Sequence, residues 1–536
     1  MSRTFASSAV LCNMTRTVYV PLPEDEVEVK DLGLPSKEHL EKLVAMMKHR
    51  HTCDAVDRHV VLMSACCEVS PNGFFLRDLP LVDCIIEMCC ERIVAGVAPL
   101  APALVNFLFA SQRQFVAIKF SERTRAFNAL RSFCMRTAQC LSVPSLDVQQ
   151  AALITLLRFW PGQPGDDYHQ QVLEHTDMLL QHVIGCVVSL SSLVAQAADP
   201  SDRAPIKAAL DDAYRLVQQL SFSHVLSQEM LNNPDCGISS PDFMSALALC
   251  CSFPSNDVCL ECTVAIIWNI LDAHSHASQT FCAPEYFEMF KVIFHNLCSS
   301  GFADRQKQTR NELVVCLCII SRNSSTSLWL ESGLFETLMV VATALETSQP
   351  ADVVKPFVLT NHPIDLECKR AIISAAMFLC SHDNDLLSLC LGQLSLIPCM
   401  LLHIDESQLQ HPCRRRLAIH QMRELQVMAL SALSILVPHQ PELFLRQEGA
   451  RCVLSLIVHE LDEAVRMGCL DLLRSIASVE DVQSEMGSMG AIPIMLSFVA
   501  DAEVHPLNIR QSAVSILSQL CHDQPDNKVR TRCLHR

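Results

Sequence analysis

The sequence predicts an all-α protein, an armadillo/HEAT-like α-solenoid superhelix of roughly 8–10 repeats. The prediction depends on the composition, on a segment that recurs near the C-terminus and on the loops between its copies. Of the 536 residues, 50% are hydrophobic, yet only 14 are Gly, 4 Tyr and 3 Trp. Because so few glycines disfavour folds with many tight turns or phosphate-binding loops, packed helices are favoured over Rossmann, P-loop and multi-stranded β folds.

Three segments near the C-terminus superpose on one another and define the repeat. They are ELQVMALSALSIL from Glu424, EAVRMGCLDLLRSI from Glu463 and LNIRQSAVSILSQL from Leu507. Equivalent residues stand 40 and 44 positions apart and are large, small and large in turn: Leu425, Val465 and Ile509; Ala429, Cys469 and Ala513; Leu433, Leu473 and Leu517. The spacing i, i+4, i+8 places each set on one helix stripe, where the small residue lets a neighbouring helix approach closely.

A second helix follows two of these copies after a short turn. It reads EGARCVLSLI from Glu448 and GAIPIMLSFV from Gly490, and Gly449 and Gly490 are 41 residues apart. We expect each glycine to end the preceding element, and Pro493 suits the first turn of the next helix. A period of 40 to 44 residues built from paired helices is typical of armadillo and HEAT arrays.

Composition and loop signals divide the chain into four parts. Residues 1–35 are predicted as a mobile acidic N-terminal leader, and residues 36–346 as N-terminal armadillo-like repeats. Residues 347–365, which include the stretch TSQPADVVKPFVLTNHP, are predicted as a longer connecting loop. Residues 366–536 are predicted as C-terminal armadillo repeats, truncated before the partner of their last long helix.

The charge and the apolar runs favour an intracellular protein that binds neither nucleic acid nor membrane. The formal net charge is −17 at pH 7, which would repel a phosphate backbone. The longest apolar run, residues 93–110, contains Pro99, Pro102 and Asn106, so a buried helical hairpin is favoured over a membrane span. The first residues lack a secretory or mitochondrial pattern, so we interpret the 28 cysteines as reduced core residues.

No motif in the sequence points to catalysis. The sequence lacks GxxxxGK[ST], GxSxG and HExxH, and it has no GxGxxG between a strand and a helix. We therefore predict no enzyme, no cofactor and no small-molecule substrate. The nearest redox or zinc motif is Cys259-Leu-Glu-Cys262, just after Asp257, where a helix N-terminus could lower a thiol pKa. A buried structural pair is the favoured interpretation, because no second CxxC follows at zinc spacing.

Two histidine pairs are also weak candidates for metal binding. Residues two apart point to different sides of a helix and cannot share a metal there, so solvated histidines are favoured and no metal site is predicted. The pairs are His49 with His51 and His274 with His276.

The densest basic cluster is Arg414-Arg415-Arg416. We interpret it as bordering the helix that contains Glu424. The alternative is contact with an acidic partner, such as a tubulin tail or a carboxylate-rich helix.

Several stretches between about residues 70 and 525 are more specific than helix packing requires. They include GFFLRDLPLVDCIIEMCCERI from Gly73, WLESGLFETLMVVAT from Trp329 and VRMGCLDLLRSIASVEDVQSEMGSMGAIPIMLSFV from Val465. The most specific block is residues 301–312, where Gly-Phe precedes Asp-Arg-Gln and Arg-Asn-Glu. In these stretches the chain resembles the cilia- and flagella-associated protein 69 family.

The resemblance implies a non-enzymatic scaffold in the axoneme of motile cilia and flagella, part of the cytoskeleton in the cytoplasm. It would hold together proteins of a projection on the C1 microtubule of the central pair and so support beating. The implied partners are other central-apparatus proteins, with tubulin contacted only indirectly. Candidate partner-binding residues are Arg305 and Arg310 in the specific block, together with Arg414, Arg415 and Arg416.

The alternative is a soluble armadillo-type adaptor that binds extended peptide segments of cargo or signalling proteins. Such adaptors use ladders of Trp and Asn along a groove, because groove recognition needs side chains at regular intervals. Only Trp268 is followed by Asn here, at Asn269, and Trp268 is expected to lie in the core. The scaffold is therefore favoured.

Overall fold

The computed structural model describes residues 79–97, 100–112, 123–159, 168–251, 257–300, 304–347, 359–459, 462–501 and 503–534, with a few isolated residues before 79. The chain divides into two compact units, Met1–Ala277 and Ser278–Arg536. Each unit is built from helices, and the predicted all-α class is confirmed.

Two short strands lie within the predicted leader. β1 (Thr4–Phe5) pairs antiparallel with β2 (Val27–Glu28), with Thr4 opposite Glu28. The rest of residues 1–35 lies outside the described residues, so the leader stays a prediction. The predicted loop at 347–365 also stays a prediction, since residues 348–358 are not described; a helix begins at Pro363.

The first unit contains ten described helices, and an eleventh crosses its end. They are α1 (Leu79–Val94), α2 (Leu100–Gln112), α3 (Arg123–Gln139), α4 (Leu146–Phe159), α5 (Tyr168–Glu174), α6 (Leu179–Gln196), α7 (Pro200–Ser221), α8 (His224–Asn232), α9 (Pro241–Cys251), α10 (Asp257–Ala273) and α11 (Ala277–Thr280). A 3₁₀ turn at Cys140–Ser142 joins α3 to α4.

The second unit continues the same order. It holds α12 (Pro284–Ser300), α13 (Asp304–Ile320), α14 (Thr326–Glu331), α15 (Leu334–Thr343), α16 (Pro363–Cys380), α17 (Asn384–Leu391), α18 (Leu396–Ile404), α19 (Ile419–Leu436), α20 (Pro441–Arg446), α21 (Gly449–His459), α22 (Glu463–Ile476), α23 (Glu480–Ser488), α24 (Ala491–Ala500), α25 (Leu507–Cys521) and α26 (Pro525–Leu534). Further 3₁₀ turns lie at Glu406–Gln408 and Val437–His439.

Each repeat has three helices, so the predicted pair of helices is wrong. From α4 onward a first-type helix, a short helix and a second-type helix alternate. The first-type helices are α4, α7, α10, α13, α16, α19, α22 and α25, the short ones run from α5 to α26 and the second-type ones from α6 to α24 in the same rhythm. The short helices escape prediction because six to nine residues, as in α20 and α23, show too little hydrophobic periodicity.

The predicted large-small-large stripes form the contacts between first-type helices. In the first unit α4, α7 and α10 pack in succession, and in the second unit α13, α16, α19, α22 and α25 do so. Eight of the nine stripe residues are buried, and Leu517 alone among them is half-buried. Small residues such as Ala429 and Cys469 are fully covered, which is the close helix approach that the stripe predicted.

A residue in the left-handed conformation precedes five of the second-type helices. The positions are Met178, Gly333, Ser395, Glu448 and Gly490, with φ between 48° and 89°. Such a residue turns the chain sharply between the short helix and the next one. The expected role of Gly490 is confirmed, but in the equivalent repeat the left-handed residue is Glu448, and Gly449 is the first residue of α21.

The apolar run at 93–110 belongs to two helices, α1 and α2, which pack against each other as the predicted hairpin requires. Among the described residues, α6 alone is a single helix long and apolar enough to cross a membrane, and the bent pair α17 and α18 meets the same criteria together. Helix α6 packs on α7 and α9, and half of its apolar window is buried, as in a core helix.

Candidate functional site

The candidate site is a groove in the second unit between the outer faces of the first-type helices α16 and α19. Its volume is about 610 Å³. The small side chains of Ala371, Ser374 and Ser431 line the groove, because they leave space between two neighbouring helices. Phe378, whose surface is 40% exposed, and Met428 give it apolar walls. We call this the α16–α19 groove.

The rim of the α16–α19 groove is charged. Arg370 Nη1 lies 2.8 Å from Glu424 Oε2, and these side chains are 43% and 48% exposed. Glu367 is exposed on the same rim. An apolar floor with charges of both signs at its edge suits an amphipathic helix or an extended segment, since the rim charges can fix its direction.

The sequence analysis did not identify the groove residues. The stripe of α19 defines its buried face, and Met428 and Ile435 lie on the same helix outside that stripe. Apolar residues beyond the stripe were the available signal. Two helices 50 residues apart in sequence must be known to be neighbours before such residues indicate a groove.

Arg310, a predicted partner-binding residue, is instead part of a buried ion pair. Its Nη2 atom lies 2.9 Å from Asp365 Oδ1, with side chains 5% and 3% exposed. Lys307 Nζ approaches the other carboxylate oxygen at 3.5 Å. Burial would raise the pKa of Asp365, but hydrogen bonds from Thr360 and Arg310 outweigh it and hold that pKa below its usual value. The prediction for Arg310 is thus corrected: its guanidinium joins α13 to α16.

Arg414 is also buried, so the basic cluster does not form one exposed patch. Its Nη1 atom donates hydrogen bonds to the carbonyl oxygens of Leu402 and Asp405, and its surface is 4% exposed. Burial lowers the pKa of its guanidinium. The predicted border role fits, because these bonds anchor the loop before α19 to the end of α18, whereas partner contact by Arg414 is corrected.

The other three predicted arginines lie at the surface of the second unit. Arg305 is exposed at the start of α13, and Arg415 and Arg416 are exposed in the loop before α19. Arg416 has φ of 65°, a left-handed conformation that turns its side chain out of the loop path. Partner binding by Arg305, Arg415 and Arg416 stays a prediction.

The CxxC pair in α10 has separate structural partners. The Cys259 thiol lies 3.5 Å from Asp211 Oδ1, and the Cys262 thiol donates to Gln218 Oε1 at 3.2 Å. A hydrogen bond with Cys250 and burial together raise the pKa of Cys259 far above its ordinary value. The helix N-terminus therefore does not activate this thiol, and both residues are buried, as the favoured interpretation predicted.

His274 and His276 form only half of the predicted solvated pair. His276 is exposed, but His274 is buried, with its Nε2 atom 2.8 Å from Ser227 Oγ. Burial lowers the pKa of His274, which keeps its ring neutral. His49 and His51 lie outside the described residues.

The Trp-Asn pair that would suggest a peptide-binding ladder is used within the first unit. Asn269 Nδ2 donates to Ser221 Oγ of α7 at 2.8 Å. Trp268 is half-buried on α10, so the expected full burial is corrected. An asparagine already bonded to the adjacent helix cannot offer that amide to a peptide without losing the contact.

Comparison with known proteins adds the family. The profile of the cilia- and flagella-associated protein 69 ARM repeat matches residues 38–465, which is most of the chain. The chain belongs to the cilia- and flagella-associated protein 69 family. The resemblance inferred from the sequence stretches is thus confirmed, and the chain is an armadillo-repeat protein of a family named for cilia and flagella.

Relatives in this family share about a fifth of the residues. The human protein called cilia- and flagella-associated protein 69 is 22% identical over 548 residues, covering 94% of this chain and 55% of the relative. The proteins of the same name from Mus musculus and Callithrix jacchus are 22% and 23% identical, covering 82% and 85% of this chain and 45% and 50% of theirs. The chain spans about half the length of the curated relatives it matches.

Two solved structures have related helical arrangements. One comes from work on a phosphorylation switch between cadherin and β-catenin, with 12% identity, a TM-score of 0.41 and coverage of 90% of this chain and 94% of the other. The other is the SYS-1/POP-1 complex, with 11% identity, a TM-score of 0.38 and coverage of 90% and 91%. Family membership rests on the sequence match.

Proposed function

We propose that the protein is a non-enzymatic scaffold of the axoneme in motile cilia and flagella. It holds together proteins of a projection on the C1 microtubule of the central pair, contacts tubulin only through them and so supports beating. Membership of a family named for cilia and flagella supports the location. The observation that carries the scaffold role is the α16–α19 groove, an apolar, two-helix surface with a charged rim on a repeat fold.

The chemistry of the groove suggests what its partner presents. Phe378 and Met428 need an apolar anchor, and the space beside Ser374 and Ser431 admits a side chain of a helix or extended segment. Glu367 and Glu424 lie on the rim, and the whole chain is acidic, with a net charge of −17. We therefore propose a partner segment with apolar anchors flanked by Lys or Arg, whose approach the acidic surface would favour.

The proposal is tested in ciliated cells that express the full tagged chain. Axonemes are isolated, crosslinked and analysed by mass spectrometry. We expect the chain in the axonemal fraction, crosslinked to central-apparatus proteins through residues bordering the α16–α19 groove. Confinement of the chain to the nucleus or endomembranes would remove the location, and crosslinks only to outer-doublet proteins would remove the central-pair role.

Two variants test the groove itself. Phe378→Glu places a charge on an exposed apolar wall, and Ser431→Arg fills the space beside it. The matched control is Val458→Glu, an apolar position that is 54% exposed on the second-type helix α21. We expect at least a tenfold drop in crosslinks for the two groove variants and none for the control. Equal crosslinking of all three would show that the groove is not the binding surface.

A further inference from the structure

The second unit contains a buried cluster of three different metal-ligating side chains. Glu346, His403 and Cys413 each offer one ligand atom, and the three atoms lie within 4.8 Å of one another. Glu346 follows α15, His403 lies in α18, and Cys413 lies in the loop before α19. His403 Nε2 is 2.8 Å from Glu346 Oε1, and the two side chains are 1% and 0% exposed.

The hydrogen bonding of this cluster is incomplete. Glu346 Oε2 and His403 Nδ1 are buried without a hydrogen-bond partner. A buried polar atom left in this state costs about 1–3 kcal/mol, so in a native protein it points to a water, ion or ligand that completes the site. A fourth donor lies at the half-buried edge, where His411 Nδ1 is 3.0 Å from Cys413 Sγ.

We propose that Glu346, His403, Cys413 and His411 form a zinc-binding site. Thiolate, imidazole and carboxylate are the ligands that Zn²⁺ accepts in a four-coordinate protein site. Mg²⁺ and Ca²⁺ take oxygen ligands, so a set with one thiol and two imidazoles excludes them by preference. The ion replaces the proton shared by His403 and Glu346, and Cys413 binds after its thiol proton has passed to solvent.

Two cations face the cluster and limit its affinity. Lys369 Nζ lies 2.5 Å from Glu346 Oε1, and Arg414 follows Cys413 with its guanidinium bonded to the carbonyl oxygens of α18 and the following turn. The Glu346 carboxylate and the Cys413 thiolate together balance the charge of Zn²⁺. Since the Lys369 ammonium competes with the ion for Glu346, its removal should strengthen zinc binding.

An opening leads from the surface to the cluster. Glu346 lines a cavity of about 490 Å³ together with Thr343, Thr347, Cys399 and Asp405. A metal site needs an entry path as well as ligands. The sequence did not indicate this site because its ligands are spread over residues 346 to 413 and do not follow any compact zinc spacing.

The test uses the full chain, purified without chelator in a reducing buffer. Zinc content is measured by inductively coupled plasma mass spectrometry, and the metal-free chain is titrated with Co²⁺. We expect about one ion per chain, a near-ultraviolet thiolate-to-cobalt charge-transfer band and visible bands of tetrahedral strength. Zinc should also raise Tm, because it binds the folded state alone. A chain that binds neither ion, or binds cobalt without the charge-transfer band, overturns the proposal.

Variants separate a metal site from a merely structural cluster. Cys413→Ser keeps the volume and should lose the charge-transfer band and at least tenfold in zinc affinity, and His411→Gln in the half-buried loop should weaken binding if Cys413→Ser fails to fold. Lys369→Met should bind zinc more tightly than the natural chain. The matched control is Cys316→Ser, a buried cysteine of α13, which should bind as the natural chain does. Equal zinc affinity in Cys413→Ser and Cys316→Ser would refute the assignment.

Discussion

Arg310 Nη2 lies 2.9 Å from Asp365 Oδ1, and this buried ion pair joins α13 to α16 at the point where the chain between them includes residues 348–358. Thr360 also donates to Asp365, from its backbone N–H and its hydroxyl. One carboxylate thereby fixes the chain just before α16 to the preceding first-type helix. This relationship makes the pair a test of how two repeats hold together when the connection between them is long.

Asp365→Asn should destabilise the second unit strongly. The change leaves Arg310 buried without its counter-charge and weakens the bonds from Thr360, so we expect a loss of about 3–5 kcal/mol in the free energy of unfolding. Urea unfolding followed by far-ultraviolet circular dichroism measures it. The control is Asp471→Asn, which breaks an exposed pair of the same unit, Arg474 with Asp471 at 2.7 Å, and should cost under about 1 kcal/mol. Equal losses in the two variants would contradict a special role for the buried pair.

Gly449 is required by packing, and its replacement should be costly. A Cβ at this position would overlap the ring of Phe444 on α20, lying 2.9 Å from its Cγ. Because the buried ring has little space to move, Gly449→Ala should lower the free energy of unfolding by about 1–3 kcal/mol. Gly185→Ala is the control, since a Cβ there meets nothing within 4 Å in the exposed face of α6 and should stabilise the helix by about 1 kcal/mol. Differential scanning calorimetry should show Tm moving in opposite directions.

The neighbouring residue Glu448 should respond in the opposite sense to Gly449. Glu448 has φ of 56°, a conformation that costs a residue with a Cβ about 1–2 kcal/mol, and its ion pair with Arg451 is exposed. We therefore expect Glu448→Gly to raise the free energy of unfolding by about 1 kcal/mol. Gly490→Ala, at the equivalent joint with φ of 89°, should lower it by a similar amount. A loss of stability in Glu448→Gly would mean that the Arg451 contact outweighs the backbone strain.

The regular part of the fold could be predicted because each first-type helix repeats one local pattern. The stripe through Leu425, Ala429 and Leu433 defines the buried face of α19 without any knowledge of its neighbours. The short helices could not be found in this way. Helix α20 has six residues, and its packing depends on Phe444 fitting over Gly449, a contact between two elements and not a periodicity within one.

The candidate site was less accessible to sequence reasoning, since charge was interpreted as exposure. Arg310 and Arg414 belong to basic segments, which usually lie in water. Their burial depends on Asp365, 55 residues away from Arg310, and on carbonyl oxygens at the end of α18. Partners of this kind become visible only when the stacking of repeats is known. The same holds for Glu346 and His403, whose contact spans 57 residues.

The first unit should lose stability as pH rises towards neutrality because of Asp83. This carboxyl is 5% exposed on α1, and burial raises its pKa from 3.8 to about 7 despite a hydrogen bond from Ser132 and the charge of Arg136. Between these two pH values the folded chain binds a proton that the unfolded chain has released, so the free energy of unfolding falls with increasing pH. A shift of about three units corresponds to up to roughly 4 kcal/mol, fully lost above the folded pKa.

Asp83→Asn should remove this dependence and make the first unit more stable above pH 7 by a few kcal/mol. Urea unfolding at a series of pH values from 4 to 8 measures the slope. The control is Glu91→Gln, an exposed carboxylate of the same helix, which should leave the slope as it is in the natural chain. A slope that survives in Asp83→Asn would assign the titration to another group. Asp83 Oδ1 has no hydrogen-bond partner, so the amide replaces a carboxyl that is already neutral at low pH with little change in contacts.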